Sequence, residues 1–361
     1  MFPSFGIGGV PLRMVRIINH LGKRLRHTVI ALDNNFDAAE GVAGNLDLAV
    51  LPVPGVKRGV LHNLVGSALA LRRLRPDLLL SYNWGAIEWA AAARFSPISR
   101  HLHLEAGFSL GEADSQMPRR VLFRRWALAR CELVVVPSRQ LEDLARRVWR
   151  IPVSRVVYVP NGVDTARFAV PVSDGVPGFT RRPGEMVIGT VAPLRPEKNI
   201  GRLLRVFAML KSPHPLRLII AGDGGQRASL ERLAAELGIA NRVIFTGQVV
   251  PEAVLGTFDI FTLSSDTEQM PNALLEAMAA SRAIAAVNVG DVKKIVCEDN
   301  QEFIVDRDDA TAFAGALTRL LGDPERRRAI GCANRRRALA EFSQETMFSA
   351  YSRIFSPGRA P

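Results

Sequence analysis

Apolar runs of strand length alternate with helical patterns along nearly the whole chain, and this alternation constrains the fold more than any other feature. Runs at 27–32, 46–52, 77–82, 102–105, 132–137 and 155–160 read as strands, and the segments 12–21, 61–75, 87–95, 118–130 and 139–148 read as helices. Successive residues of a strand point to opposite faces, so a run that is apolar throughout is covered on both sides. Strands of that kind separated by helices predict parallel sheets in an α/β architecture. The stretch 169–184 breaks the pattern with Pro171, Ser173, Gly175, Pro177, Gly178, Pro183 and Gly184, a linker composition. The alternation then restarts, with strands at 186–191, 216–221, 242–246, 260–264, 283–287 and 302–305 and helices at 199–210, 226–237, 271–280, 309–321 and 324–341. A last helix at 344–354 is expected to pack back on the first half. The expected architecture is two Rossmann-like domains, 1–168 and 185–341, whose parallel sheets face a central cleft, with 342–361 returning to the first. In such sheets ligands gather at the carboxyl ends of the strands. The opening strand is the exception to the pattern, because Gly8 and Gly9 look like the loop after it while only a stub precedes them.

A length of 361 residues suits two cores better than one. The longest apolar stretches, 133–137 and 283–289, fall far short of the ~20 residues that span a bilayer, and no basic segment followed by a long apolar run opens the chain. Cys131, Cys297 and Cys332 are scattered and odd in number, with no CxxC pair. A reduced, cytoplasmic protein without structural disulfide or zinc is the expectation. The net charge of +12 is uneven: residues 1–168 carry 23 Lys+Arg against 13 Asp+Glu, a balance of +10, while 169–361 carry 24 against 22, a balance of +2. Such a surface attracts anionic lipid headgroups, phosphorylated acceptors or nucleic acid; the plainer alternative is a solvated basic face.

Two segments carry chemistry. In Thr267-Glu268-Gln269-Met270-Pro271-Asn272-Ala273-Leu274-Leu275-Glu276 two glutamates flank a helix start. Pro271 suits a first turn, where its missing N–H is not needed. The amides of Asn272, Ala273 and Leu274, at the positive end of the helix dipole, make an anion site fit for a diphosphate. Glu276 is placed to take a ribose diol and Glu268 to hold sugar hydroxyls. In Val191-Ala192-Pro193-Leu194-Arg195-Pro196-Glu197-Lys198-Asn199, a buried strand leads into a helix, and Arg195 and Lys198 sit on the loop between. Cations at a helix start oppose its dipole and call for an anion. A fixed pair of them can stabilise the charge that grows on a departing diphosphate in place of a metal ion. Asp306-Arg307-Asp308-Asp309 mimics a metal-binding motif but reads as a helix cap with an acidic first turn.

These segments, in this order, resemble glycosyltransferase family 4, the group 1 glycosyltransferases, whose members are retaining enzymes of the GT-B fold. Val134-Val135-Val136-Pro137-Ser138, Val159-Pro160-Asn161-Gly162-Val163-Asp164, Ala221-Gly222-Asp223-Gly224, Phe245-Thr246-Gly247 and Ala285-Ala286-Val287-Asn288-Val289-Gly290 extend the likeness over most of the chain. The resemblance implies that Arg195 and Lys198 flank the diphosphate, that Glu276 binds ribose, and that Glu268 faces the donor sugar. It further implies that Gly8 and Gly9 let backbone approach the donor phosphates and acceptor, and that Gly247 and Gln248 contact the base. Many members carry a His or an acidic residue near the reacting carbon, where this chain has Ala106; Glu105 is then the catalytic candidate and His103 a neighbouring one for the acceptor. Asn83 and Trp84, at the end of a strand, are candidates to line the acceptor site.

The expected activity is therefore metal-independent, retaining transfer of a hexosyl group from a UDP- or GDP-sugar to a saccharide or lipid-linked acceptor, in polysaccharide or glycolipid biosynthesis, with no cofactor. The basic segment around Arg119, Arg120, Arg124, Arg125 and Arg130 suits docking on the inner face of an anionic membrane, and no nucleic-acid partner is expected. A nucleotide-sugar epimerase of the same fold and a non-enzymatic basic binding protein are the rival readings.

Overall fold

The structure, a computed structural model, describes residues 1–53, 59–96, 98, 100–107, 112, 116–169, 176 and 178–356. The chain divides into two compact units, one of Met1–Asn161 with the chain from Met347 on, the other Gly162–Thr346. The first therefore closes at Asn161, whereas the reading above carries that domain to 168. Most of the expected linker at 169–184 lies outside the described residues.

The first unit holds strands β1 (His27–Val29), β2 (Leu48–Val50), β3 (Leu78–Tyr82), β4 (Arg100–Leu104), β5 (Leu133–Val136) and β6 (Val156–Tyr158), all in parallel pairs. Its helices are α1 (Gly9–Leu21), α2 (Val60–Leu74), α3 (Ile87–Ala93), α4 (Pro118–Ala127) and α5 (Arg139–Arg147). The stub that precedes Gly8 forms a single bridge rather than a strand. Phe2 pairs with Ala31 beside β1, and Met1 exchanges backbone hydrogen bonds with Leu80 and Tyr82 of β3. Two residues thus stand where a central strand would run, and Gly9 already opens α1.

The second unit holds β7 (Met186–Val191), β8 (Leu216–Ala221), β9 (Val243–Gly247), β10 (Ile260–Leu263), β11 (Ala283–Val287) and β12 (Ile304–Val305). These form one parallel sheet in the order β12-β11-β10-β7-β8-β9. Helices α6 (Ile200–Met209), α7 (Arg227–Glu236), α8 (Pro251–Leu255), α9 (Asn272–Ala279), α10 (Val292–Ile295), α11 (Ala310–Gly322) and α12 (Pro324–Glu341) cover it. Strands β7, β10 and β11 are buried almost throughout, which is why their apolar runs have no alternation. Of the expected strand at 302–305, the first two residues end a 3-10 turn, Glu298–Phe303, and only Ile304–Val305 are paired. Behind β11, Asn300 exchanges hydrogen bonds with both backbone groups of Ile284, and Asn334 of α12 reaches Asn300 and the amide of Cys297.

Helix α13 (Gln344–Phe355) sends Met347, Tyr351, Ile354 and Phe355 into the core of the first unit. Arg100 holds its end, donating to the carbonyls of Ile354, Phe355 and Ser356 while pairing with Glu132 at 2.7 Å. The last helix therefore packs on the first half, as its expected position implied.

Candidate functional site in the second unit

The chain of the second unit runs from β7 outward to β8 and β9, then returns to lay β10 on the other side of β7. The loops leaving β7 and β10 therefore part company at the centre of the sheet's carboxyl edge. A switch of this kind opens the crevice in which open α/β sheets bind ligands. Both chemistry-bearing segments sit on those two loops.

The β7 loop is locked before it reaches its cations. Ala192 N–H donates to Ala221 O at 2.9 Å, and Leu194, fully buried, exchanges backbone bonds with Asp223 and Gln226. Gly222 donates in turn to Gly247 O at 2.9 Å, so the loops after β7, β8 and β9 form one hydrogen-bonded rim. Gly222 has φ +140°, and a Cβ there would clash with Ala192 O, so only glycine lets the rim close. Beyond Leu194 the chain emerges. Arg195 is exposed, and its side chain makes no hydrogen bond or ion pair among the described residues. Residues Pro196–Lys198 form a 3-10 turn, and Asn199, left-handed at φ 41°, caps α6 by accepting from Arg202 N.

The β10 loop meets this turn directly. Lys198 Nζ lies 2.5 Å from Glu268 Oε1, and the same carboxylate accepts from Ser265 Oγ at 2.8 Å. Asp266 accepts from Asn199 Nδ2 at 3.0 Å and pairs with Arg202 at 2.8 Å, and Ser264 Oγ donates to Lys198 O. The next loop pins the far side: Gly290, at φ +56°, lies so close to Glu268 O that a Cβ would clash with it. Glu268 and Lys198 thus arrive paired and held from three sides, with Arg195 on the same turn facing solvent.

Helix α9 begins after Pro271, its N-cap, and carries Glu276 half-buried in its second turn. One expectation needs correcting here. Leu274 N–H donates to Pro271 O at 3.2 Å, so this amide is engaged within the first turn of the helix. The amides of Asn272 and Ala273 remain at the helix start. Gly247 (φ +74°) and exposed Gln248 end β9 on the rim described above. Asn199, Arg202, Ser265 and Asp266 were not singled out from the sequence. Asn199 and Asp266 stood inside or beside the two segments, but their pairing joins positions more than sixty apart.

The remaining candidates belong to the first unit. Gly8 is the extended N-cap of α1, and a Cβ there would meet only Pro11 at 3.9 Å, so packing within the chain does not require glycine. Asn83 (φ 54°) accepts from Ala106 N at 2.6 Å and ties the ends of β3 and β4 together. The Trp84 ring lies under the guanidinium groups of Arg120 and Arg124, at 5.0 and 4.9 Å, with Phe123 at its edge.

Glu105 and His103 are enclosed. Glu105 is 1 % exposed and lies 3.6 Å from His103 Nε2 and 3.7 Å from Arg124 Nε. His103 Nδ1 and His101 Nε2 both meet Ser81 Oγ, at 2.9 and 2.8 Å. Burial, with His103 and the N-terminal amine as like charges, pushes His101 down to about 3, so it is neutral. The strand end does not kink outward: Glu105 N–H continues the ladder to Val135 O, and its side chain points into the unit. The geometry therefore does not support Glu105 as a group at the reacting carbon, nor His103 in an acceptor pocket.

Comparison with known proteins gives the family of the chain. The family described as Glycosyltransferase Family 4 matches residues 7–167, and Glycosyl transferases group 1 matches 178–337. A D-inositol 3-phosphate glycosyltransferase of Corynebacterium jeikeium is 30% identical over 293 residues, 74% of this chain and 70% of that protein. A GDP-mannose-dependent alpha-(1-6)-phosphatidylinositol monomannoside mannosyltransferase of Mycolicibacterium smegmatis is 30% identical over 222 residues; the aligned part spans 58% of each protein. Among solved structures, Anabaena HepE in complex with UDP and glucose superposes with a TM-score of 0.80 at 17% identity, covering 98% of this chain and 97% of that one. Sucrose-phosphate synthase from Thermosynechococcus elongatus gives 0.78 at 21% identity, covering 96% and 93%. The chain belongs to the group 1 glycosyltransferases and has their GT-B fold, two Rossmann-like domains with parallel sheets.

Proposed function

We propose that the protein is a retaining, metal-independent hexosyltransferase that uses a UDP- or GDP-sugar and a saccharide or lipid-linked acceptor. The observation that carries this reading is the pairing of Lys198 with Glu268 at the switch point, beside exposed Arg195 and the start of α9. The diphosphate lies against Arg195, Lys198 and the Asn272 and Ala273 amides. Glu276 takes the ribose hydroxyls, Gly247 and Gln248 the base, and Glu268 the sugar. The bond from C1 to the phosphate oxygen breaks as the acceptor oxygen bonds to the same face of C1. The acceptor proton passes to the departing phosphate, whose growing charge the two cations stabilise. This route asks for no protein base, in keeping with the enclosed Glu105. In the first unit, Asn83 shapes the acceptor side. In support, one relative is named for GDP-mannose and phosphatidylinositol monomannoside, and a structural neighbour holds UDP. The three cysteines are free thiols, which suits a cytoplasmic site in polysaccharide or glycolipid biosynthesis.

A thermal-shift screen of UDP-, GDP- and ADP-sugars tests the reading. One donor class should stabilise the parent, and Glu276→Ala should abolish the shift. Arg195→Ala should lower turnover about 10²–10³-fold, and chelator should leave turnover unchanged. Equal shifts in parent and Glu276→Ala, or a product with the opposite anomeric configuration by NMR, would overturn it.

A further inference from the structure

Helix α4 is built the wrong way round for a helix that only has to stay in water. It buries Val121, Arg124 and Ala127, with Arg124 fully enclosed, while Leu122 is 66 % and Trp126 39 % exposed. Scattered exposed leucines are ordinary; a charge turned inward and large apolar groups turned outward are informative. The outward groups are also contiguous. Leu122 and Trp126 are one helical turn apart, and Phe95, 61 % exposed at the end of α3, has its ring 6.1 Å from that of Trp126.

Arginines frame the same surface. Arg94 lies over the Trp126 ring at 5.2 Å and donates to Trp126 O, Arg130 donates to Arg94 O, and Arg72 of α2 donates to Phe95 O. Arg119 stands exposed one turn before Leu122. Helix α2, which packs on α3, adds exposed Val65 and Leu69. Neither α2 nor α4 contains an acidic residue.

We infer that this face, centred on Leu122, Trp126 and Phe95 and ringed by Arg72, Arg94, Arg119 and Arg130, docks on the headgroup region of an anionic lipid bilayer. Aromatic and aliphatic side chains surrounded by arginines match the boundary between acyl chains and negative headgroups. Nucleic acid would satisfy the charge but leave Leu122 and Phe95 without a role. The inference extends the lipid-linked acceptor of the proposed function, and its test needs no donor.

Full-length protein is mixed with vesicles of phosphatidylcholine alone or with phosphatidylglycerol, and bound protein is separated by flotation. Binding should require the anionic lipid and weaken with salt. Leu122→Ser with Trp126→Ser should lose about tenfold or more. Arg119→Glu with Arg130→Glu should lose more, since each arginine near such a surface is worth about fivefold. Val250→Ser, an exposed apolar site in the second unit, should bind as the parent does. Melting curves in buffer verify that each variant is folded. Absent or lipid-independent vesicle binding overturns the inference, as does binding unchanged in the Leu122/Trp126 variant. Salt-sensitive RNA binding without vesicle binding also overturns it. A donor-induced thermal shift measured without vesicles reports separately on the catalytic reading.

Discussion

Glycine at 290 and histidine at 101 show how single positions carry the two units. Gly290 packs against the backbone of Glu268 in a left-handed conformation. Gly290→Ala should destabilise the second unit by about 2 kcal/mol and weaken donor binding with it, because the β10 loop must move. Retained donor affinity alongside a lowered urea midpoint would separate packing from site geometry and count against that link. His101 is buried and neutral, with its pKa pushed down to about 3. The unfolded chain takes up this proton near pH 6.5 and the native one does not, so stability is lost as pH falls below about 6.5. The slope from this residue is at most about 1.4 kcal/mol per pH unit, and it begins above the range where most carboxylates titrate. Urea unfolding between about pH 7 and 5 measures it; a flat profile contradicts it. At this scale the sequence was readable where the pattern is local: Arg195, Lys198 and Glu268 were singled out because they stand on loops between a strand and a helix, and the structure pairs Lys198 with Glu268. Glu105 was misplaced because its fate depends on Arg124, which α4 brings to it from nineteen positions away.

Among the elements, the strands legible in the sequence are those covered on both faces. The bounds of β7, β8 and β11 match their apolar runs, since continuous burial leaves a continuous signal. The opening strand was not legible, because one bridge at Phe2 has no periodicity to read. The tight first turn of α9 was equally hidden, as it depends on which carbonyl the Leu274 amide selects. The attachment of α13 rests on a more visible device. Arg100 gathers three carbonyls at the helix end and pairs with Glu132, a favourable place for a cation. Arg100→Ala should cost about 2 kcal/mol, the scale of hydrogen bonds to a charged group. Proteolysis near the carboxyl terminus should accelerate in step. If the urea midpoint does not move, the helix is held by its apolar face alone.

For the whole molecule, each unit has its own core and the predicted ligand contacts are unequally shared. A nucleoside diphosphate at about 100 times its Kd should stabilise the state that binds it by about 2.7 kcal/mol. Calorimetry with and without nucleotide should place that gain in the transition of the second unit; a gain confined to the first would move the nucleotide site. The excess positive charge lies with the first half of the sequence.

The short contact between Lys198 and Glu268 also bears on selectivity among nucleotides. One of the two cations already has a carboxylate partner before anything arrives. A monophosphate, satisfied by a single guanidinium, has little reason to compete for the ammonium group. A second phosphoryl group can share it with the glutamate. Such a contact would favour the intact donor over its fully hydrolysed remnant, so the monophosphate should be a weak inhibitor even where the diphosphate is a strong one.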